Sequence, residues 1–389
     1  MSALRVLARE DNGRARVAHI SVIHPPADPR IFEKQCRTLV EQGYEVHFLV
    51  GGGPREPQRG VRFSALSPEW RHPRLREQWS PQYRALRQAL ALRARLYHLH
   101  DPHLIPLGLL LKLRGARVIY DAHEDYCGHA RTKLAARPIR GRIKSGVWWG
   151  LESAARRTFD GFVGADEEIA ERFPADRTAV VHNFPRADVF LDGNGPAYAE
   201  RSSTVLFLGV QRVERGFWEA VQAMALVPEQ LDCRLRLIGR VYPQELVEQA
   251  RDHPGWRYVD HAPWQPREVV VRELFLARVG LVAFHPMRNQ TNGIGCNKLF
   301  EYMAAGLPVI ASDAPGWRGI VEGAGCGIPV DPGDPREIAT AIEYLLTHPE
   351  EAEEMGRRGR AAVEARFNWN ADSSRVRGLY ERVGVPAHP

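Results

Sequence analysis

The sequence predicts an α/β protein of two doubly wound, Rossmann-like domains whose parallel sheets face a central cleft. Three observations carry this. Short runs rich in Val, Ile and Leu alternate with longer helix-like segments throughout the chain. Those runs are apolar on both faces, as strands covered on both sides by crossover helices must be. The pattern restarts near residue 204 of a 389-residue chain, which is too long for one core.

In chain order, "RVAHISVI" (16–23) is the first expected strand, leading through "HPPADPR" into a helix from about Ile31 to Gly43. "YEVHFLV" (44–50), "RLYHLH" (95–100) and "ARVIYDAH" (116–123) follow, the last two separated by the helix-like "LIPLGLLLKL". "GFVGAD" (161–166) and "TAVVHNF" (178–184) complete the first half. The second half offers "TVLFLGV" (204–210), "CRLRLIG" (233–239), "WRYVDH" (256–261), "VGLVAFH" (279–285) and "LPVIAS" (307–312), with helices between. The expected division is a first domain over 1–188, a polar linker over 189–203 and a second domain over 204–366. A last helix over 367–389 is expected to cross back to the first domain.

Composition narrows the class. Hydrophobic residues make up 44% and charged residues 26%, as in a folded soluble protein. The longest apolar run, Leu104 to Leu111, contains Pro106 and is too short to span a bilayer. The opening "MSALRVLARE" lacks an apolar core and a cleavage site, so no secretory signal is expected. The five cysteines are scattered without a CxxC pair, which fits a reducing cytoplasm and suggests neither a disulfide framework nor a zinc site. Residues 1–190 hold 31 Lys/Arg against 21 Asp/Glu, leaving 22 against 26 in the remainder. One half is thus suited to a polyanion or an acidic membrane.

Several familiar chemistries are excluded. No GxGxxG follows a strand, and no GxxxxGK[ST] occurs, which argues against dinucleotide oxidoreductases and P-loop ATPases. GxSxG is absent, and so is any Asp-x-Asp pair for a metal-bound nucleotide.

The positive signals lie at strand ends. "CNKLFEYMAAGLPVIASD" (296–313) reads as a helix, a Gly stop and a buried strand, with Glu301 among Leu299, Phe300, Tyr302 and Met303. A carboxylate so placed needs a partner, either a protein cation or a ligand hydroxyl. Before it, "NQTNGIGCNK" (289–298) offers Gly293 and Gly295 for close backbone approach to an anion, and Lys298 in the first helical turn. "FLGVQRVERGF" (207–217) places Arg212 and Arg215 where a strand gives way to a helix, a geometry suited to a diphosphate; the bland alternative is surface arginine in an Arg-rich chain. In the first half, "YDAHEDY" (120–126) gathers Asp121, His123, Glu124 and Asp125, and "HLHDPH" (98–103) is a second His/Asp cluster. A catalytic or substrate-binding cluster, a satisfied structural histidine and a metal site are the readings open there. No second histidine at helical ligand spacing supports the metal.

Taken together the motifs resemble the retaining glycosyltransferases of family 4, which have the GT-B fold. "DPRIFEKQCRTLVEQGYEV" resembles their first helix and second strand, and "VIYDAHEDY" their YDxHE segment. "LGVQRVERG" stands where they carry a glycine, an arginine and a Lys-Gly pair, and "NKLFEYMAAGLPVIASD" resembles the second half of their Glu-x7-Glu motif. The resemblance implies glycosyl transfer with retention from a nucleotide-sugar to a glycan, lipid-linked or small-molecule acceptor, of the kind typical in polysaccharide assembly. It implies that Glu301 binds the ribose hydroxyls and that Arg212, Arg215, Asn292, Gly293, Asn297 and Lys298 complete the donor site. His123 and Arg215 take the catalytic roles, and His100, Asp101, Glu124 and Asp125 lie on the acceptor side. No metal or other cofactor is expected, since cations replace it at the diphosphate. The chain departs from the family pattern where the first motif Glu becomes Gly293 and where the family arginine and lysine fall at Val210 and Arg215.

A nucleotide-sugar epimerase or other GT-B enzyme, and a non-catalytic nucleotide-sugar-binding protein, are the alternatives. Nucleic acid is not an expected partner, because aromatic-basic signatures are absent. An anionic membrane is one: Arg131, Lys133, Arg137, Arg140, Arg142 and Lys144 occur without an intervening acid before Trp148 and Trp149, and Arg71, Arg74, Arg76, Arg84 and Arg87 flank Trp70 and Trp79. The expected location is the cytoplasm, peripheral to the inner face of the plasma membrane.

Overall fold

A computed structural model describes residues 13–69, 79–125, 138–186, 188–191, 195–285 and 294–387. The chain divides into two compact units, residues 1–182 with 371–389, and residues 183–370.

The first unit contains β1 (Arg16–Ile20), β2 (Glu45–Val50), β3 (Arg62–Ala65), β4 (Leu96–Leu99), β5 (Arg117–Ala122), β6 (Gly161–Gly164) and β7 (Thr178–Val180). They form one parallel sheet in the order β3-β2-β1-β4-β5-β6-β7. Side chains alternate across a strand. Ala18 and Ile20 of β1, Tyr97 and Leu99 of β4, and Val118 and Tyr120 of β5 therefore enter one buried core with Leu104, Phe159 and Phe162. The residues between them point to the other face, where the helix Trp369–Arg382 brings buried Leu379 and Tyr380. Tyr44 ties the same tail down, its hydroxyl donating to Val385 O at 2.9 Å.

The second unit holds β8 (Thr204–Leu208), β9 (Arg234–Ile238), β10 (Val259–Ala262), β11 (Val279–Val282), β12 (Val309–Ser312) and β13 (Gly327–Val330), parallel throughout in the order β10-β9-β8-β11-β12-β13. Two cores sandwich this sheet. Leu206 and Leu208 join Phe300, Tyr302 and Trp317 on one face. Val205 and Phe207 join Phe217, Leu235 and Ile342 on the other.

In each unit the strand order reverses once, between β1 and β4 and between β8 and β11. Crossovers leave in opposite directions at such a point and open a crevice at the carboxyl ends of the strands. The candidate residues lie at those two ends.

Two edge strands, β3 and β13, were not among the expected elements. β3 is four residues with an exposed or half-buried pattern. β13 carries Pro329 inside "GIPV", which an edge strand tolerates because one side needs no ladder donor.

Candidate active site

At the end of β8 the chain turns through Gly209, whose φ is +99°. A Cβ at this position would lie 3.0 Å from Lys298 Cε, 3.7 Å from its Nζ and 4.0 Å from Arg215 Nη1. The bare glycine thus forms the floor under two converging cations. Arg215 is held there from two sides: Nη1 donates to Val210 O at 3.0 Å, and the guanidinium lies 5.1 Å from the centre of the Phe284 ring. The next residue, Gly216, also has positive φ (+73°), and a Cβ on it would meet Ala283 O at 2.1 Å. Only glycine lets the helix Phe217–Met224 start so close to the end of β11.

Lys298 sits in the first turn of the helix Asn297–Ala304. Tyr302 fixes that helix to the sheet, because its buried hydroxyl accepts from Leu208 N–H at 2.9 Å. Gly280 makes room for the ring, since a Cβ there would fall 2.4 Å from it. Asn297 starts the same helix, and its Oδ1 is buried without a hydrogen-bond partner among the described residues.

One turn beyond Lys298, the Glu301 side chain is 14% exposed and meets Arg267 Nη1 at 2.7 Å. Of the two partners open to it, a protein cation is present. Arg267 opens the helix Arg267–Leu276 and is 39% exposed, so the pair reaches solvent. Arg212 does not join Arg215 and Lys298; its guanidinium stacks 4.6 Å from the ring centre of exposed Tyr242. Asn292 and Gly293 lie outside the described residues.

In the first unit, the face of the sheet opposite its apolar core becomes polar near the strand ends. His19 of β1 stands directly across from His98 of β4, and Leu99 across from Tyr120, which brings His100 beside Asp121. His19 Nδ1 and His100 Nε2 are 2.8 Å apart. Tyr380 joins the group from the last helix, its hydroxyl 2.9 Å from His98 Nδ1 and 3.1 Å from His19 Nε2. Burial and mutual repulsion push the pKa values of His19, His98 and His100 down, so these imidazoles are neutral at pH 7.

Asp121 is fully buried, which by itself raises a carboxyl pKa; Arg30 and His123 outweigh the burial and hold it well below the usual range. Arg30 Nη2 donates to Oδ1 at 2.9 Å and Gln35 Nε2 to Oδ2 at 2.6 Å. His123 is 3.3 Å from Oδ2 through Nε2 and stacks obliquely on His24. Burial opposes a charged His24, but Asp28 and Asp101 prevail and raise it to about 9.

The residues expected on the acceptor side have different fates. Asp101 is buried and its Oδ2 accepts from Ser21 Oγ, Val22 N and Ile23 N, so it shapes the loop after β1. His100 is buried inside the imidazole stack. Asp125 accepts from Arg172 Nη1 at 2.6 Å, while Glu124 is exposed. His98 belongs to the expected 98–103 cluster, whereas His19, Arg30, Gln35, Tyr380 and, in the second unit, Arg267 are not singled out from the sequence. The signal for the histidines was alternation: HLH at 98–100 and DAH at 121–123 each put two such groups on one sheet face.

Comparison with known proteins matches residues 29–183 to the glycosyl transferase 4-like domain and residues 195–362 to the glycosyl transferases group 1. The phosphatidyl-myo-inositol mannosyltransferase of Mycobacterium leprae is 29% identical over 191 residues, 48% of this chain and 49% of that one. The alpha-D-kanosaminyltransferase of Streptomyces kanamyceticus is 26% identical over 183 residues, 46% of each. The chain thus matches about half the length of these curated relatives. Among solved structures, sucrose-phosphate synthase from Thermosynechococcus elongatus superposes with a TM-score of 0.70 at 21% identity, covering 95% of this chain and 99% of that one. Anabaena HepE in complex with UDP-glucose gives 0.67 at 14%, covering 94% and 98%. These likenesses establish the two-sheet GT-B fold. With one family description over each unit, the chain belongs to the group 1 glycosyl transferases, with a family 4-like first domain.

Proposed function

We propose that the chain is a retaining glycosyltransferase that moves a sugar from a nucleoside-diphosphate donor to a hydroxyl acceptor. The observation that carries this reading is the convergence of Lys298 and Arg215 over Gly209 at the switch point of the second sheet. Negative charge grows on the phosphate oxygens as the glycosidic bond breaks. Fixed cations in a half-buried crevice stabilise that charge without a metal. Glu301 is the ribose anchor, accepting the two hydroxyl protons in the orientation that Arg267 now holds. His123, at the strand ends of the first unit, is the catalytic histidine near the transferred sugar and the acceptor. On this reading the first domain, expected over 1–188, binds the acceptor and the second, expected over 204–366, binds the donor, although the compact units divide at 182/183.

The structure of HepE with UDP-glucose makes uridine donors the first to test. A mixed nucleotide-sugar screen read by mass spectrometry, with and without candidate acceptors, should yield a released nucleoside diphosphate and a glycosylated product. Binding without turnover of any donor would instead favour a non-catalytic nucleotide-sugar-binding protein. Isomerised donor would favour an epimerase.

The acceptor we favour is lipid-linked, presented at an anionic membrane surface. Among the described residues no helix is long and apolar enough to cross a membrane. The helix Pro138–Thr158 nevertheless exposes Ile139 (74%), Ile143 (63%) and Val147 (55%) at a spacing of four, beside exposed Arg142 and Lys144. Such a helix suits the headgroup boundary.

A further inference from the structure

We propose that His100 Nδ1, His123 Nε2 and Asp121 Oδ2 form a three-ligand site for a zinc-class divalent cation in the first unit. The three atoms make a nearly equilateral triangle. His100 to His123 is 3.4 Å, His100 to Asp121 is 3.4 Å, and His123 to Asp121 is 3.3 Å. Tetrahedral zinc with ligands at about 2.0–2.1 Å separates them by roughly 3.3–3.4 Å, the edge of the tetrahedron. Octahedral coordination at similar distances would separate neighbouring ligands by only about 3.0 Å. The triangle matches a four-coordinate ion with one corner left over.

Hydrogen bonding explains the triangle less well. Each edge is longer than the roughly 2.7–3.2 Å of a good bond to nitrogen. Each imidazole nitrogen carries at most one proton, so the three edges cannot all be bonds. A hydrogen-bonded trio would shorten one edge and lengthen the others.

The surroundings match what a bound ion requires. A ligating imidazole usually donates its second N–H to another group, which fixes the ring. His100 Nε2 has such a partner in His19 Nδ1. With protons running from His100 to His19, then to Tyr380 and on to His98, each of these three contacts has one donor and one acceptor, His100 Nδ1 is left as a bare lone pair, and the chain ends at His98 Nε2, which has no hydrogen-bond partner among the described residues and lies 3.8 Å from Asp121 Oδ2. Arg30 and Gln35 orient the Asp121 carboxylate and help compensate its burial. The three ligands come from adjacent strand ends, with Asp121 and His123 two apart on one face of the sheet. A metal here fixes the His123 ring; it does not replace Lys298 and Arg215, which belong to the other unit.

The test uses the full chain without donor, so its outcome is independent of whether glycosyl transfer is found. The purified protein is stripped with chelator and incubated with Zn²⁺ or Co²⁺. After desalting, metal is counted by plasma mass spectrometry and the Co²⁺ form is read by visible absorption. The expected result is about one ion per chain, with the intense ligand-field bands of four-coordinate cobalt. His123→Ala, at the partly exposed corner, should weaken binding by about 100-fold or more, beyond the 10–100-fold typical of groups that only support a ligand. Asp121→Asn should do the same, provided its circular dichroism is native. His182→Gln, elsewhere in the unit, should bind as the parent does. Retention of less than about a tenth of an equivalent by the parent, octahedral cobalt spectra, or equal binding by parent and His123→Ala would each overturn the proposal.

Discussion

Lys298 stands in the first turn of a helix, where its charge opposes the positive end of the helix dipole. Its position over Gly209 beside Arg215 makes sense when an anion completes the group. Lys298→Ala is therefore expected to lower kcat by about 10²–10³, as for the loss of one preorganised stabiliser of developing charge. Arg215→Ala should behave similarly, and Arg212→Ala far less, since Arg212 is engaged with Tyr242. Steady-state rates with the native donor check this; unchanged turnover in both Lys298→Ala and Arg215→Ala would place the diphosphate elsewhere. Glu301 has a different role. On the proposed reading, Glu301→Ala removes the acceptor for the ribose hydroxyls and should weaken nucleoside diphosphate binding by about 2–3 kcal/mol. Stability should change little, because Arg267 is exposed enough to hydrate once its partner is gone. Calorimetry on the folded variant decides it, and parental affinity would refute the assignment.

The helix Trp369–Arg382 begins at the end of the second unit and is joined to the first by charge as well as by packing. His182 N donates to Asp372 Oδ2 at 3.0 Å, and the His182 ring lies 3.3 Å from Asp372 Oδ1 and from Glu167 Oε1. Burial lowers the pKa of His182, but the bond to Asp372 and the two carboxylates more than reverse this, so the folded value is raised. A raised histidine stabilises the fold fully below its unfolded pKa of about 6.5 and loses that stabilisation as pH climbs through the folded value. The melting temperature of the parent should exceed that of His182→Gln by most at about pH 6, and the gap should narrow as pH rises. A constant gap would show that the imidazolium is not what binds this helix. Tertiary pairing of this kind explains where the sequence was legible. Eleven strands were legible, most of them as buried Val/Ile/Leu runs, while β3 with its exposed or half-buried residues and β13 with Pro329 in its middle leave no such run. The cations at Gly209 were legible because a strand, a glycine and a helix start are local signals. The Arg267–Glu301 pair and the Tyr380–His98 contact, 282 positions apart in the chain, exist only once the helices have packed.

For the molecule as a whole, the uneven charge noted in the sequence has a specific structural outlet. The first 190 residues carry the basic excess, and the helix Pro138–Thr158 turns Ile139, Ile143 and Val147 to solvent with Arg142 and Lys144 alongside. Residues 126–137, with Arg131, Lys133 and Arg137, and residues 70–78 lie outside the described residues, so the patch is argued from the helix alone. Trp148 is buried against His103 and contributes to the fold, whereas Trp149 is exposed. An apolar stripe bordered by cations has two separable affinities for an anionic bilayer. Charge contributes about 1 kcal/mol per basic residue near the surface and is screened by salt, while the inserted side chains contribute through apolar area and are not. Sedimentation with vesicles should therefore show binding that requires anionic lipid and falls, without vanishing at once, as salt is added. Arg142→Glu with Lys144→Glu should remove the lipid-charge dependence. Ile143→Ser with Val147→Ser should weaken the salt-resistant remainder. Neither pair touches Lys298, Arg215 or Glu301, so release of nucleoside diphosphate from a soluble donor should persist in both. Failure of the parent to bind anionic vesicles at low salt would reject the membrane surface and direct the search to a soluble acceptor.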